Sequence, residues 1–194
     1  MRDAERAGII RTIGSWALRE TLGTWHKLND KGISLRMAVN VSFPEVADPD
    51  YADKVLALLE EFQVPASCLE LELTETAMML DASVSLRNLR LLKQAGIHIV
   101  LDDFGTGLSS FGYLKHFPVD FLKIDGSFVK EILHDPIDRE MVRSINEIGH
   151  LTGKQTIAEF AENEEIITML RGLGLDYSAG YGRSGETRVT PAVA

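Results

Sequence analysis

Residues 97–110 read IHIVLDDFGTGLSS and carry the strongest local signal in the chain. The first five include three β-branched side chains, which is typical of a buried strand, and the run ends at Asp102 and Asp103. The two glycines that follow permit a tight loop, and Ser109 and Ser110 can cap a helix after it. The segment therefore predicts a strand, two carboxylates just past its end, and a loop able to gate a site. The plain alternative is a turn with no further role.

The same order of strand-like run, polar group and amphipathic stretch recurs along the chain. Strands are predicted at residues 34–39, 68–74, 97–101, 121–124 and 155–158, with a weaker sixth near 177–181. Intervening helices are predicted to begin at Asp48-Pro49, Asp135-Pro136 and Asn163, and to end at Gly96 and Gly153. A leading helix, marked by Ile9, Ile13, Trp16, Ala17 and Trp25, is predicted to end at Gly32. This alternation indicates an α/β fold with a largely parallel sheet.

Two architectures fit this alternation. An eight-stranded (β/α) barrel and an open doubly wound sheet both gather functional groups at the carboxyl ends of their strands. Only six strands are predicted, and the chain begins on a helix. Either the sheet is open, or two N-terminal barrel strands are absent from this chain.

Polar side chains fall at the carboxyl ends of the predicted strands. They are Asn40, Glu75, Asp102, Asp103 and Glu159, with Lys123 inside the fourth strand near its end. A single acidic residue in such a place is usually a helix cap or a solvated turn. The whole set is better explained as an oxygen-rich site for Mg²⁺ or Mn²⁺, in which two ions can activate water for phosphoryl displacement. Glu70 and Glu72, which alternate inside a strand, are interpreted as solvent-facing or packing positions rather than ligands.

Composition excludes several classes of protein. The chain has 194 residues and a formal net charge of −9, which argues against binding to nucleic acid or to anionic membranes. One cysteine, Cys68, excludes a disulfide framework and a cysteine-based zinc site. No signal peptide and no membrane segment are predicted, so the expected location is the cytoplasm.

Several segments, taken together and in order, resemble the EAL domain family of bacterial cyclic di-GMP phosphodiesterases. The resemblance runs from about Ala4 to about Tyr181, and the chain is interpreted as one EAL-type domain over residues 1–194, with 182–194 as an irregular tail. The matching segments are Ala4-Glu5, residues 8–10, 13–16, 39–42, 72–75, 102–110 and 122–125, Ala158-Glu159 with Glu162, and Gly180-Tyr181.

The resemblance implies a TIM-barrel-like fold that hydrolyses cyclic di-GMP to pGpG with Mg²⁺ or Mn²⁺. It assigns Asn40, Glu75 and Asp102 to one metal ion, and Asp102, Asp103 and Glu159 to the second. It further implies that Lys123 binds the attacking water, that Glu162 anchors the loop after Asp103, and that Gly180 and Tyr181 contact substrate. A homodimer and an upstream sensory or GGDEF-type domain are also implied.

Three departures from the family pattern bear on activity. The Glu-Ala-Leu signature, which supplies a metal ligand, would fall before Met1 together with the two opening strands, and this accounts for the six predicted strands. Ala179 occupies the place of a glutamine, and the closing segment reads GRSGE at residues 182–186. Slow or absent turnover is therefore expected. The alternatives are a non-catalytic domain that binds nucleotide or a partner protein, a chain too incomplete to fold well alone, and a receiver-like phosphotransfer domain.

Overall fold

A computed structural model describes residues 9–74, 82–106, 111–180 and 187–188. The chain forms two compact units, Met1–Val100 and Leu101–Ala194. The single domain expected over 1–194 stays a prediction. No helix among the described residues is both long and apolar enough to cross a membrane.

The first unit alternates helices with parallel strands. Its elements are α1 (Ile10–Asn29), β1 (Met37–Asn40), α2 (Phe43–Val46), α3 (Tyr51–Glu61), β2 (Leu69–Thr74), α4 (Ala82–Gln94) and the start of β3 (His98–Phe104). β1 and β2 run parallel, with Met37 opposite Leu69 and Asn40 opposite Glu72. The Val41 N–H donates to Glu72 O at 2.8 Å and continues this pairing beyond β1.

The leading helix is present, but of the residues that marked it in the sequence only Trp25 is buried. Ile10, Leu18, Leu22 and Trp25 are buried, while Ile9, Ile13 and Trp16 are exposed. Spacings of three, four and eight residues place the buried set on one face of the helix.

The predicted helix start at Asp48-Pro49 is wrong. A short helix, α2, comes first, and the Ser42 N–H donates to the Glu45 carboxylate at 2.9 Å across its first turn. Asp48 accepts from the Asp50 N–H at 3.0 Å, so its side chain makes a local turn and α3 begins only at Tyr51.

Glu70 and Glu72 are both buried in β2, so the solvent-facing alternative for these two positions is wrong. The Glu70 carboxylate lies 3.3 Å from the guanidinium of Arg36, which supplies a charged partner for a buried anion.

The second unit continues the alternation after the end of β3. Its elements are β4 (Phe121–Ile124), α5 (Gly126–Lys130), α6 (Pro136–Leu151), β5 (Gln155–Ala158), α7 (Glu164–Gly172), β6 (Tyr177–Ser178) and β7 (Thr187–Arg188). Strand order follows chain order within each unit, and β4, β5 and β6 pair parallel in that order. The six predicted strands correspond to β1 to β6. β7 pairs antiparallel with β6, inside the segment for which an irregular tail is expected.

Several predicted helix boundaries are confirmed. Asp135 accepts the Ile137 N–H at 2.7 Å with Pro136 in the first turn, and Asn163 accepts the Ile166 N–H at 2.9 Å. Gly96 and Gly153 have φ values of 100° and 72°, the left-handed backbone that ends a helix and that glycine adopts without strain.

Candidate functional site: an acidic cluster in the second unit

Three carboxylates and one lysine lie together where β3, β4 and β5 end. Asp102 and Asp103 are in the last part of β3, Lys123 is in β4, and Glu159 directly follows β5. The expectation that both aspartates come just past their strand is wrong, because β3 continues to Phe104. The Asp125 N–H still donates to Phe104 O at 3.4 Å, which carries the pairing beyond both aspartates.

The parallel register of β4 and β5 explains how Lys123 and Glu159 meet. Lys123 lies opposite Ile157, and Ile124 lies opposite Ala158. The Glu159 N–H then donates to Ile124 O at 3.3 Å, so the chain stays beside β4 for one residue more. Adjacent parallel strands therefore deliver both side chains to the same edge of the sheet.

The carboxylates are close enough to share a cation. One oxygen from each of Asp102, Asp103 and Glu159 lies within 4.8 Å of the others. Lys123 Nζ is 3.1 Å from Glu159 Oε1 and 3.8 Å from Asp102 Oδ1. The side chains of Lys123, Asp102 and Glu159 are only 11%, 15% and 19% exposed, so water screens their charges weakly.

Burial and crowding raise the pKa of two of these carboxyl groups. Burial raises the pKa of Asp103, and the negative charges of Asp102 and Asp125 raise it further. Burial also raises the pKa of Glu159; Lys123 opposes this shift and Asp102 adds to it. The ionised forms of Asp103 and Glu159 are therefore disfavoured in the folded chain, and a bound cation would stabilise them.

One oxygen of the cluster lacks a hydrogen bond. Among the described residues, Asp102 Oδ1 is buried and has no hydrogen-bond partner; Lys123 Nζ, at 3.8 Å, is beyond hydrogen-bond distance. A buried carboxylate oxygen with no donor is costly unless a cation satisfies it. The side chains that would bind the cation are all carboxylates, which suits a hard divalent ion such as Mg²⁺ or Mn²⁺. The residues present therefore fit a metal ion.

Asp125 belongs to this site, and the reasoning from sequence did not assign it a role. Its carboxyl group is near enough to that of Asp103 to raise the pKa of Asp103. It also caps α5 by accepting from the N–H of Ser127 at 2.8 Å and from the Ser127 hydroxyl. An aspartate directly before a glycine at a strand end was the available signal, since that is a common capping position.

The remaining predicted site residues are not tested by this cluster. Asn40 lies at the end of β1 in the first unit and is exposed, while Glu75 and Tyr181 lie outside the described residues. Glu162 is exposed, and the backbone of Gly180 packs so closely on Ala161 O that a Cβ there would overlap it. The roles expected for these five residues stay predictions.

Comparison with known families matches residues 1–184 to the EAL domain. This chain belongs to the EAL domain family. The match covers both units and includes every residue of the acidic cluster, so the cluster is a feature of an EAL domain.

Curated relatives of this EAL domain are larger proteins. The chain is 34% identical over 179 residues to cyclic di-GMP phosphodiesterase PdeB of Shewanella oneidensis, covering 92% of this chain and 21% of PdeB. It is 33% identical over 178 residues to cyclic di-GMP phosphodiesterase PdeR of Escherichia coli K12, covering 92% of this chain and 27% of PdeR. The chain therefore spans about a fifth to a quarter of these relatives.

Solved structures resemble this EAL domain over nearly all of its length. A PaMucR phosphodiesterase in complex with c-di-GMP superposes with a TM-score of 0.85 at 37% identity, covering 93% of this chain and 74% of that one. The EAL enzyme Bd1971 in its cAMP- and cyclic-di-GMP-bound form gives a TM-score of 0.88 at 30% identity, covering 97% and 52%. The TIM-barrel-like EAL fold expected from the sequence is confirmed.

Proposed function

We propose that this EAL domain binds cyclic di-GMP through Mg²⁺ or Mn²⁺ and hydrolyses one phosphodiester bond to give pGpG. The observation that carries the proposal is the cluster of Asp102, Asp103 and Glu159 beside Lys123, with one buried oxygen that lacks a donor. The names of PdeB and PdeR and the c-di-GMP complex of PaMucR support the choice of nucleotide.

The side chains of the cluster have two roles: the carboxylates would bind metal, and the lysine donates hydrogen bonds. Asp102, Asp103 and Glu159 would hold the divalent ion, with Asn40 and Glu75 as the additional ligands implied by the family pattern. Such an ion, when bound, polarises a phosphoryl oxygen and makes a coordinated water more acidic. Lys123 supplies the hydrogen-bond donors of the cluster, because the three carboxyl groups, when ionised, only accept.

Lys123 is held in place for this task. Its ammonium group lies 3.1 Å from Glu159 and 3.8 Å from Asp102, so two carboxylates fix its position. An ammonium group in this position is a donor that can orient the attacking water or bind a phosphate oxygen. In the reaction the water oxygen bonds to phosphorus while the bond from phosphorus to the sugar oxygen breaks. One proton of the water is given up and the sugar oxygen gains one, so that it leaves as a hydroxyl group.

A second candidate function is binding of cyclic di-GMP without turnover. It is favoured by Ala179, which occupies the place of a glutamine in the family pattern. The Ala179 N–H donates to Ala158 O at 2.8 Å, and its carbonyl accepts from the Ala161 N–H at 2.9 Å. The backbone is thus fixed beside Ala158, but a methyl group cannot make a glutamine's hydrogen bonds. Loss of one such contact typically costs about 10²–10³ in rate.

The experiment measures binding and product on the same preparation. Calorimetry with cyclic di-GMP and Mn²⁺ measures affinity, and chromatography measures pGpG formed by the chain and by Lys123→Met. Product from the chain but not from the variant supports hydrolysis. Binding without product supports the second candidate. If the chain shows no binding and forms no product, both candidate functions are contradicted.

A homodimer, an upstream sensory or GGDEF-type domain and a cytoplasmic location are part of the same proposal. The homodimer and the upstream domain rest on the resemblance to the family.

A further inference from the structure

The residue after Glu159 has an unusual backbone conformation. Phe160 has a φ of 53°, in the left-handed region that glycine adopts freely and that costs other residues energy. Bulky residues stay in this conformation only where their surroundings hold them there. Something in the second unit therefore holds Phe160 and, with it, the backbone of Glu159.

The backbone is fixed on both sides of Phe160. Before it, the Glu159 N–H donates to Ile124 O at 3.3 Å; after it, the Ala161 N–H donates to Ala179 O at 2.9 Å. The chain therefore passes from β4 toward the end of β6 within three residues, and Phe160 makes the turn.

The ring of Phe160 contacts the first and the last residue of α5. A Cβ added to Gly126, the first residue of α5, would overlap the ring at Cδ2, so only glycine allows this approach. At the last residue of α5, Lys130 places Nζ 4.1 Å from the ring centroid, within the range of a cation–π contact.

The same helix also contacts the other side of the acidic cluster. Asp125, the cap of α5, lies beside the carboxyl group of Asp103 and interacts with it electrostatically. One five-residue helix thus connects to two carboxylates of the cluster, to Asp103 through its cap and to Glu159 through the Phe160 ring.

We propose that Phe160 is a positioning residue, whose ring, held by Gly126 and Lys130, fixes the Glu159 carboxylate for metal binding. This inference rests on the proposed function, because it treats Glu159 as a metal ligand. The ring is half-buried, and the contacts that hold it are with α5, so its effect on the metal site passes through the adjacent Glu159.

The test compares Phe160→Gly with a matched control, Gln63→Gly. Gln63, in the first unit, also has a φ of 53°, so both substitutions relieve the same backbone strain and only one removes the ring. Calorimetry with Mn²⁺ alone is expected to show about 10-fold weaker binding for Phe160→Gly and unchanged binding for Gln63→Gly. Phe160→Tyr, which keeps the ring, should restore the affinity.

Thermal unfolding separates positioning from a merely structural role. Since glycine tolerates this φ, Phe160→Gly is expected to unfold close to the temperature of the parent chain while it loses Mn²⁺ affinity. Equal Mn²⁺ affinity in the chain and in Phe160→Gly would overturn the inference. No Mn²⁺ binding by the parent chain would instead overturn the proposed function.

A crystal structure of Phe160→Gly tests the same point without metal. The expected result is loss of the 3.1 Å contact between Lys123 Nζ and Glu159 Oε1 that the parent chain makes. Retention of this contact would overturn the positioning role, whatever the metal affinity of the parent chain.

Discussion

At the scale of the residue, the ionised carboxyl group of Glu159 lowers the stability of the folded chain. Its carboxyl group is largely buried, near the charge of Asp102, and Lys123 offsets only part of the resulting rise in pKa. The folded chain therefore favours the protonated form more than the unfolded chain does. Residues at functional sites are often held in such unfavourable states.

Replacement of Glu159 by glutamine is expected to stabilise the metal-free chain at neutral pH. Because the pKa of Glu159 is raised on folding, the unfolded chain loses this proton first as pH rises, and the parent chain loses stability between the ordinary and the raised pKa. Glutamine mimics the protonated form, so its advantage should appear above this window and vanish below the ordinary value of 4.5. Melting temperatures in EDTA across pH measure it. A variant less stable at neutral pH would contradict the argument.

Replacement of Asp102 by asparagine is expected to weaken Mn²⁺ binding by at least about 10-fold. The change removes charge from the residue whose buried Oδ1 has no donor, while the shape of the side chain is kept. Asp138→Asn, a half-buried position in the first turn of α6 and outside the cluster, is the control. Calorimetry that gives equal Mn²⁺ affinities for all three proteins would show the aspartate pair to be only part of a turn.

The cluster itself was predictable from the sequence, since Asp102, Asp103 and Glu159 all follow strand-like runs and parallel strands gather their carboxyl ends. Asp125 and Phe160 were not. Their roles depend on side-chain contacts with Asp103 and with Gly126, which no periodicity in the sequence encodes.

At the scale of elements, the end of β3 depends on Gly105. Its φ is 103°, and a Cβ at this position would lie 2.8 Å from Ile145 Cδ1 and 3.0 Å from a carbon of the Phe128 ring. The turn after Asp103 therefore approaches α5 and α6 so closely that a side chain would displace them. Both the backbone and the packing require glycine here.

Gly105→Ala is expected to destabilise the chain by about 2 kcal/mol or more, since strain and a clash add. Gly153→Ala separates the two effects: its φ is 72°, but no atom lies within 4 Å of the added Cβ, so only the strain of about 1 kcal/mol remains. Urea denaturation of both variants measures the difference. Equal losses of stability would mean that Ile145 and Phe128 move aside without cost.

Elements with a strong pattern were predictable, and short ones were not. β4 and β5 are found at the predicted residues, 121–124 and 155–158, because apolar runs of this kind have few alternatives. α2 and α5 have four and five residues, too few to show a helical period. Their existence follows from local capping by Ser42 and by Asp125.

At the scale of the molecule, exposed apolar side chains predict self-association. Ile9, Ile13 and Trp16 lie three and four residues apart at the start of α1, and Trp16 is 63% exposed. Clustered exposed apolar groups favour association, whereas isolated ones are ordinary. Light scattering should therefore show a mass that rises with concentration, and Trp16→Glu should reduce this rise. Leu151→Glu, which changes a single apolar residue that is 85% exposed, is the control. A constant monomeric mass for the parent chain would contradict the prediction.

The charge of the whole molecule predicts that the proposed binding of cyclic di-GMP depends on divalent metal. The chain carries a net charge of −9, and the ligand brings two phosphate groups to a cluster of three carboxylates with Lys123 as its basic member. Without a cation, like charges oppose binding and Lys123 is already engaged by Glu159. In EDTA, calorimetry with cyclic di-GMP is therefore expected to show affinity at least about 10-fold weaker than in Mn²⁺.

The effect of salt distinguishes the local need for a divalent cation from the long-range electrostatic repulsion of the whole chain. Added NaCl screens the long-range repulsion between two anions, so in EDTA the association rate should rise with salt. It should not restore the affinity seen with Mn²⁺, because screening by monovalent ions does not give the buried Asp102 Oδ1 a bonded partner. Stopped-flow measurement of association in EDTA over a range of NaCl tests the first point, and calorimetry at the highest salt tests the second. Full affinity in EDTA at any salt concentration would show that the nucleotide binds away from the acidic cluster.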